Sequence, residues 1–264
     1  MTDSPGAPTP ERVRVSNEHG VRVLTLTRSE KKNAFDIPQT EQVWSAIEDA
    51  AADTSVRVIV VTAEGDYFSG GADVNLFLNF GSVSPEDLAK VARLYEPLRA
   101  CAKPTIAIVQ GHCVGMGVTW LPHFDLVYAA DHATFRTPFV QLGLVLEYGS
   151  SETLTRLLGA QRTKELILRA APIDAATAAD WGLVTRTFGK DTLVAEAMKI
   201  AGDIANNPPG AVAECKRLID AVNTFEDATL AEDGALASRY GSAENVEAVM
   251  QLMSRKKKKA HAQS

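Results

Sequence analysis

The sequence predicts an α/β fold, and three observations carry that expectation. Apolar runs of strand length, Val58-Ile59-Val60-Val61 and Ile106-Ala107-Ile108-Val109, alternate with stretches of helical period. Each of these runs leads into a glycine-rich loop, Phe68-Ser69-Gly70-Gly71-Ala72-Asp73 after the first and Gly111-His112-Cys113-Val114-Gly115-Met116-Gly117 after the second. From Ser150 onward the pattern is almost wholly helical, interrupted near Val184-Thr185.

Taken in order, the alternation in Val13-Arg14-Val15 and in Val21-Arg22-Val23-Leu24-Thr25-Leu26 predicts two strands joined by the turn Asn17-Glu18-His19-Gly20. A helix follows Asp36, because Val43, Ile47 and Ala50 recur at i, i+4 and i+7, with Trp44 and Ala51 on the same face. Val56 to Thr62 is a buried strand. Ser84-Pro85-Glu86-Asp87 reads as a capped helix start with proline at the first helical position, and that helix is expected to reach about residue 100. Pro104 to Val109 is the next strand, followed by the second loop and a short helix. Strands are expected at 125–130 and 133–135, and the chain ends in helices at about 191–205, 209–222, 225–239 and 242–255. No internal repeat of fixed period is visible.

With 264 residues the chain is long enough for one large domain and a sizeable core. Hydrophobic residues at 45% and charged residues at 23% are ordinary for a soluble globular protein. A net charge of −6 argues against a nucleic-acid partner, and no apolar stretch approaches the roughly 20 residues of a membrane span. Residues 1–10 are polar and proline-rich and read as a disordered lead-in, without the order of a signal or transit peptide. Cys101, Cys113 and Cys215 form no Cys-x-x-Cys pair, and the five histidines form no cluster, so the expectation is no metal and a reducing cytoplasm. The run Arg255-Lys256-Lys257-Lys258-Lys259 suits a helix C-terminus or a basic tail, and a grip on a ligand's phosphates is the sharper alternative.

The loops have a bland reading, as strand-to-helix turns, and a chemical one. Glycine allows positive φ and close approach to the main chain, and a loop that opens a helix leaves N–H groups free. Two such loops on neighbouring strands can aim two amides at one oxygen, which suits a carbonyl that becomes an enolate or a tetrahedral anion. Nucleotide binding fits less well: Gly115-x-Gly117 lacks the third glycine of the dinucleotide fingerprint, and no Gly-Lys-Ser/Thr run exists.

With both loops and their order in view, the chain resembles the crotonase superfamily, the enoyl-CoA hydratase/isomerase group, over about residues 12–255. Arg28-Ser29-Glu30-Lys31-Lys32-Asn33-Ala34 looks like that family's first CoA-contacting loop, and Phe68-Ser69-Gly70-Gly71-Ala72-Asp73 matches its Phe-x-(Ala/Ser)-Gly-x-Asp motif, with Gly70 where Ala or Ser is usual. The resemblance implies a spiral of strand-strand-helix units: an acyl-CoA-binding core over residues 11–200, a helical trimerisation region over 201–255 and a basic tail at 256–264. It implies an acyl-CoA thioester substrate, CoA entering as part of that substrate with no further cofactor, and a homotrimer or a dimer of trimers. By the same resemblance the amides of Ala72 and Met116 are the oxyanion donors. The CoA adenine lies against the backbone of Gly70, Gly71, Ala72, Asp73 and Val74, beside Ser69 and Ala34. Lys31 and Lys32 are candidates for its phosphates, an exposed solvated lysine pair being the other reading. Val74, Leu76, Phe77, Phe80, Trp120 and Phe139 are candidates for an acyl pocket, or for plain core.

The family's hydratases hold a water between two glutamates. Here those positions are Thr119 and Phe139, and neither side chain exchanges protons usefully. The stretch from Thr137 to Ser151, with Thr137-Pro138-Phe139, Leu142-Gly143 and Glu147-Tyr148-Gly149-Ser150-Ser151, instead resembles the peroxisomal-type 3,2-trans-enoyl-CoA isomerase branch, whose catalytic glutamate falls on Glu147. The residues alone favour a carboxylate that stabilises the helix starting near Ser150; the resemblance favours a catalytic base. Asp73 and Asp125 are acidic alternatives for which helix-cap and strand-end roles are at hand.

Overall fold

Described in the computed structural model are residues 11–78 and 83–221 and the single positions 243 and 247. The expected lead-in, the helices at 225–239 and 242–255, the basic tail, Phe80 and the side chain of Phe77 lie outside the described residues.

Strand β1 (Val13–Glu18) pairs antiparallel with β2 (Val21–Leu26). The turn between them is only His19-Gly20, both at positive φ, so the strand absorbs Asn17 and Glu18 that the alternation left in the turn. A two-residue turn of that hand matches the twist of the strands it joins, which is why the pairing continues to its edge. Helix α1 (Ile37–Ala52) begins where Asp36 caps it, the carboxylate accepting from the Gln39 N–H at 2.9 Å. Its Val43, Ile47 and Ala50 face is buried, as the spacing predicts.

The rest of the core is built from units that each place one strand in each of two sheets. β3 (Val58–Ala63) and β4 (Tyr67–Ser69) precede α2 (Val74–Leu78). β5 (Thr105–Val109) and β6 (His112–Val114) precede α5 (Met116–Trp120), and β7 (Leu126–Ala130) precedes β8 (Thr134–Arg136). After α6 (Ser150–Leu158) and α7 (Ala160–Arg169), β9 (Ile173–Asp174), α8 (Ala175–Trp181) and β10 (Arg186–Phe188) close the pattern, the last of these strands being the interruption near Val184-Thr185. One sheet has the order β1-β2-β3-β5-β7-β10, parallel from β2 onward; the other has the order β4-β6-β8-β9. This is the expected spiral of strand-strand-helix units.

The continuous apolar runs are strands buried on both faces: every residue of β5 is buried, and Val58 to Val61 are fully so. Helix α9 (Leu193–Ala205) packs across β3, β5 and β7 through Leu193, Ala197 and Ala201, and α10 (Pro209–Asp220) follows it. The helix expected from Ser84 to residue 100 is two helices, α3 (Pro85–Ala92) and α4 (Glu96–Ala100). Proline within a continuous helix lacks the N–H and meets the carbonyl four residues back, so Pro97 breaks the chain at Arg93–Tyr95 and opens a new first turn.

Candidate active site

Three separated segments meet at one cleft. The loop after β4 is fastened to the segment Arg28–Ala34: the Gly70 N–H donates to the Lys32 carbonyl at 2.7 Å, and Phe35 pairs with Ala72 in an isolated parallel bridge. That bridge uses the Gly71 carbonyl, which accepts from the Phe35 N–H, and the Asp73 N–H, which donates to the Phe35 carbonyl. In a parallel bridge the intervening N–H points the opposite way, so that of Ala72 is left free, and it meets no acceptor among the described residues. Gly71 makes the close approach possible: its φ is +91°, and a Cβ there would sit 2.9 Å from the Val114 carbonyl oxygen and 3.4 Å from the Met116 nitrogen. The two loops therefore touch at the peptide units that carry the expected donors.

Met116 is the first residue of α5, where a helix offers its N–H no internal partner, and Gly115 before it holds φ +54° with ψ −119°. Gly70, Gly71, Ala72, Val114, Gly115 and Met116 form one wall of a cleft of about 230 Å³. Phe139, Leu142, Leu144, Val145 and Glu147 form the other. A wider cleft of about 650 Å³ opens between Glu18 and helix α9 and takes in that helix's first turn, but neither of the two glycine loops lines it. Chemistry rather than size singles out the smaller one.

Glu147 is the carboxylate lining this cleft among the described residues. Burial pushes its pKa up to about 7, and a hydrogen bond from Thr119 Oγ1 to Oε1 at 3.4 Å pulls the other way. The same hydroxyl lies 3.3 Å from the Met116 carbonyl, and its single proton serves one of the two at a time. The helix-start reading does not describe Glu147: α6 has no side-chain cap, and only the main-chain carbonyl of Glu147 meets that helix, accepting from the Ser150 N–H.

The other residues singled out in the sequence divide by what they touch. Phe139 lines the cleft, while Thr119 is fully buried behind it and reaches Glu147. Ser69 is fully buried; its hydroxyl donates to the Asn33 carbonyl and accepts from the Gly71 N–H. Asp73 is committed to Arg28 Nη1 at 2.6 Å and to the Asn75 N–H at 2.9 Å. Burial raises that carboxyl, but the Asn75 amide and the Arg28 guanidinium outweigh it and hold it below the usual range. Arg28 also donates to the Ala34 carbonyl and pairs with Asp36, so one guanidinium ties the Lys31–Ala34 segment to the first glycine loop. Lys31 and Lys32 are exposed, with the Lys32 ammonium 5.0 Å from the centroid of the Tyr67 ring. Val74 is exposed, Leu76 packs against the core, and Trp120 is fully buried core between Phe35, Phe68 and Phe124. Asp125 accepts from the Thr105 N–H and pairs with Lys216, a strand-end role.

Of the lining residues, Pro138 and Leu142 stood out in the sequence only as part of the isomerase-like pattern, and Leu144 and Val145 carried no signal of their own. They fit neither a helical nor a strand period, and apolar residues in an irregular stretch before a glutamate are the one available hint. Among the described residues no three His, Cys, Asp or Glu side chains converge as a metal site would require.

The family profile described as Enoyl-CoA hydratase/isomerase matches residues 16–263. The chain belongs to the enoyl-CoA hydratase/isomerase family. Enoyl-CoA delta isomerase 2 of Rattus norvegicus is 33% identical over 258 residues, which is 93% of this chain and 64% of that protein. The chain thus spans somewhat less than two thirds of that relative's length. Mevalonyl-coenzyme A hydratase of Aspergillus fumigatus is 35% identical over 198 residues, 73% of this chain and 72% of its own. Among solved structures, an enoyl-CoA hydratase/isomerase from Pseudoalteromonas atlantica T6c superposes with a TM-score of 0.77 at 35% identity, covering 93% of this chain and 98% of that one. Both isomerases and hydratases of the family are therefore similar to this chain at comparable identity. No helix among the described residues is long and apolar enough to cross a membrane.

Proposed function

We propose that this member of the enoyl-CoA hydratase/isomerase family is an enoyl-CoA isomerase that moves a double bond from C3 to C2 of an acyl-CoA thioester. The observation that carries the reading is the carboxylate of Glu147, with its pKa pushed up to about 7, lining the same cleft as the free amides of Ala72 and Met116. Thr119 and Phe139 offer no second acid–base group, and one such group suffices for this reaction.

The Glu147 carboxylate takes a proton from C2. The electron pair left behind spreads over the C2–C4 unit and onto the thioester oxygen, giving a dienolate. That oxygen lies between the Ala72 and Met116 N–H groups, each of which strengthens its hydrogen bond as the charge develops; a donor of this kind is worth about 2.7–4 kcal/mol in the barrier. The protonated Glu147 then returns a proton to C4, and the double bond closes between C2 and C3. No atom is gained or lost. A carboxyl group with a pKa near 7 accepts a proton more readily than an ordinary glutamate and still releases it in the second step. CoA is part of the substrate in this scheme, and no further cofactor takes part. The backbone from Gly70 to Val74, with Ser69 and Ala34 behind it, receives the nucleotide end, and Lys31 and Lys32 stand within its reach. Phe139 and the helix carrying Phe77 flank the acyl chain. The assembly we propose is a homotrimer or a pair of trimers.

Incubating the purified protein with 3-hexenoyl-CoA and with 3-dodecenoyl-CoA tests the reading. Rising ultraviolet absorbance of the conjugated thioester without change of mass is the expected result. Accumulation of a product heavier by one water would favour the hydratase reading that some relatives' names carry.

A further inference from the structure

Glu147 sits on irregular chain between the helical turn Phe139–Leu142 and α6, and its upstream neighbours face solvent: Leu142, Leu144 and Val145 are 63, 38 and 82% exposed. On that side Leu146 packs against the core and the Leu144 N–H donates to the Phe139 carbonyl at 2.8 Å; the tighter restraint comes from the residue that follows Glu147. Tyr148 is buried and holds φ at +56°, a left-handed conformation that a bulky residue keeps only when its surroundings enforce it.

Three contacts enforce it here. The Tyr148 hydroxyl donates to the Val91 carbonyl of α3 at 2.5 Å. The Tyr148 carbonyl is 3.0 Å from His123 Nε2; a carbonyl only accepts, so Nε2 carries the hydrogen. The Tyr148 ring meets Tyr95 edge-on at a centroid distance of 5.3 Å, and His123 stacks on that same Tyr95 at 4.8 Å. Burial lowers the pKa of His123 to about 4, so the ring is neutral at physiological pH and keeps a donor aimed at the carbonyl. A main-chain bond and a side-chain bond thus fix both ends of the residue next to Glu147, from elements 25 and 57 residues away in sequence.

We propose that His123 and Tyr148 are positioning residues for Glu147: clamping the left-handed residue after it, they aim its carboxylate across the cleft toward Thr119 and the two free amides. Neither side chain lines the cleft, so neither touches the reacting atoms. The inference rests on Glu147 being the base.

The test uses the full-length protein with His123→Ala, His123→Gln and Tyr148→Phe, with kcat and KM read on 3-hexenoyl-CoA and binding of hexanoyl-CoA read by calorimetry. His123→Ala and Tyr148→Phe are expected to lower kcat by about tenfold or more, because a carboxylate displaced by a fraction of an ångström is a poor base, while KM and the hexanoyl-CoA Kd stay within about twofold. His123→Gln, whose amide presents a donor at similar reach, is expected to recover most of the lost kcat. The proposal is overturned if kcat is unchanged in both disrupting variants. It is equally overturned if kcat, hexanoyl-CoA binding and melting temperature fall together without rescue by glutamine. Should His123→Ala not fold, Tyr148→Phe decides alone, since it removes one oxygen atom. Glu147→Gln run alongside separates the two readings: if it stays fully active, the base assignment and this inference both fall. If it is inactive while His123→Ala and Tyr148→Phe are fully active, only the positioning role is lost.

Discussion

Glu147 is a carboxylic acid that folding has made weaker, and this has two measurable consequences. In the reaction we propose, Glu147 must be ionised in the free enzyme to act as the base, so kcat/KM for isomerisation is expected to rise about tenfold per pH unit below the pKa and to level off above it. A pH–rate profile bending near pH 7, where burial places the group, checks this. Stability runs the other way. The folded protein keeps this proton up to about pH 7, whereas the unfolded chain loses it near 4.5, so the contribution present at low pH is lost as pH rises between those values. Because the cleft leaves Glu147 some contact with water, Glu147→Gln is expected to stabilise by only about 1–2 kcal/mol at alkaline pH and to be neutral in acid; denaturant unfolding at the two pH values measures it. His123 has the opposite sign. Burial takes it from 6.5 to about 4, so its contribution is present above 6.5 and lost as pH falls toward 4. The two groups oppose each other across the overlap, and His123→Gln should therefore make stability fall more steeply with rising pH than in the wild type.

At the scale of elements, the site depends on how two short strands deliver two loops. Gly71 is the hinge of that delivery. Gly71→Ala places a methyl group against the Val114 carbonyl in a left-handed conformation, at an expected cost of about 2–4 kcal/mol, and kcat should fall with stability as the Ala72 amide moves. Thermal melting and turnover on one preparation test both halves of this expectation. The elements around the site were unequally legible in the sequence. Val58–Val61 and Ile106–Val109 announce themselves as buried strands, and Asp36 and Ser84 mark helix starts, because each pattern spans several residues of one periodicity. β4, β6 and β9 have two or three residues, too few to establish a period; β6 lies inside what reads as glycine loop and β4 runs into the other one. Pro97 was the visible sign that the helix from Ser84 would break, and side-chain spacing alone ran past it. Ser69 and Asp73 belong to the motif through their hydrogen bonds to loop backbone and Arg28, a pairing across 45 residues that no local pattern encodes.

For the whole molecule, alternating strands between two sheets brings residues 72, 116 and 147 to one cleft although none is near another in sequence. The loops were readable as a pair of amide donors from their glycines and their position after strands. Glu147 was not: its own neighbours read as a helix start, and only likeness to a family pattern pointed into the cleft. Arg28 is the tie that holds the assembly, joining Asp36, Ala34 and Asp73 while itself buried. Asp73→Ala leaves that guanidinium short of one partner and is expected to cost about 2–4 kcal/mol, readable as a lower denaturation midpoint. Native mass spectrometry of the full chain is expected to return a trimer or hexamer mass. The claim beneath all of this is that one carboxylate moves the proton while two amides hold the charge. Its most direct test compares wild type and Glu147→Gln in single turnovers of 3-hexenoyl-CoA, with hexanoyl-CoA binding as control. The account predicts a rate lower by about 10³-fold or more at unchanged affinity; a glutamine variant that isomerises within twofold of wild type would contradict it.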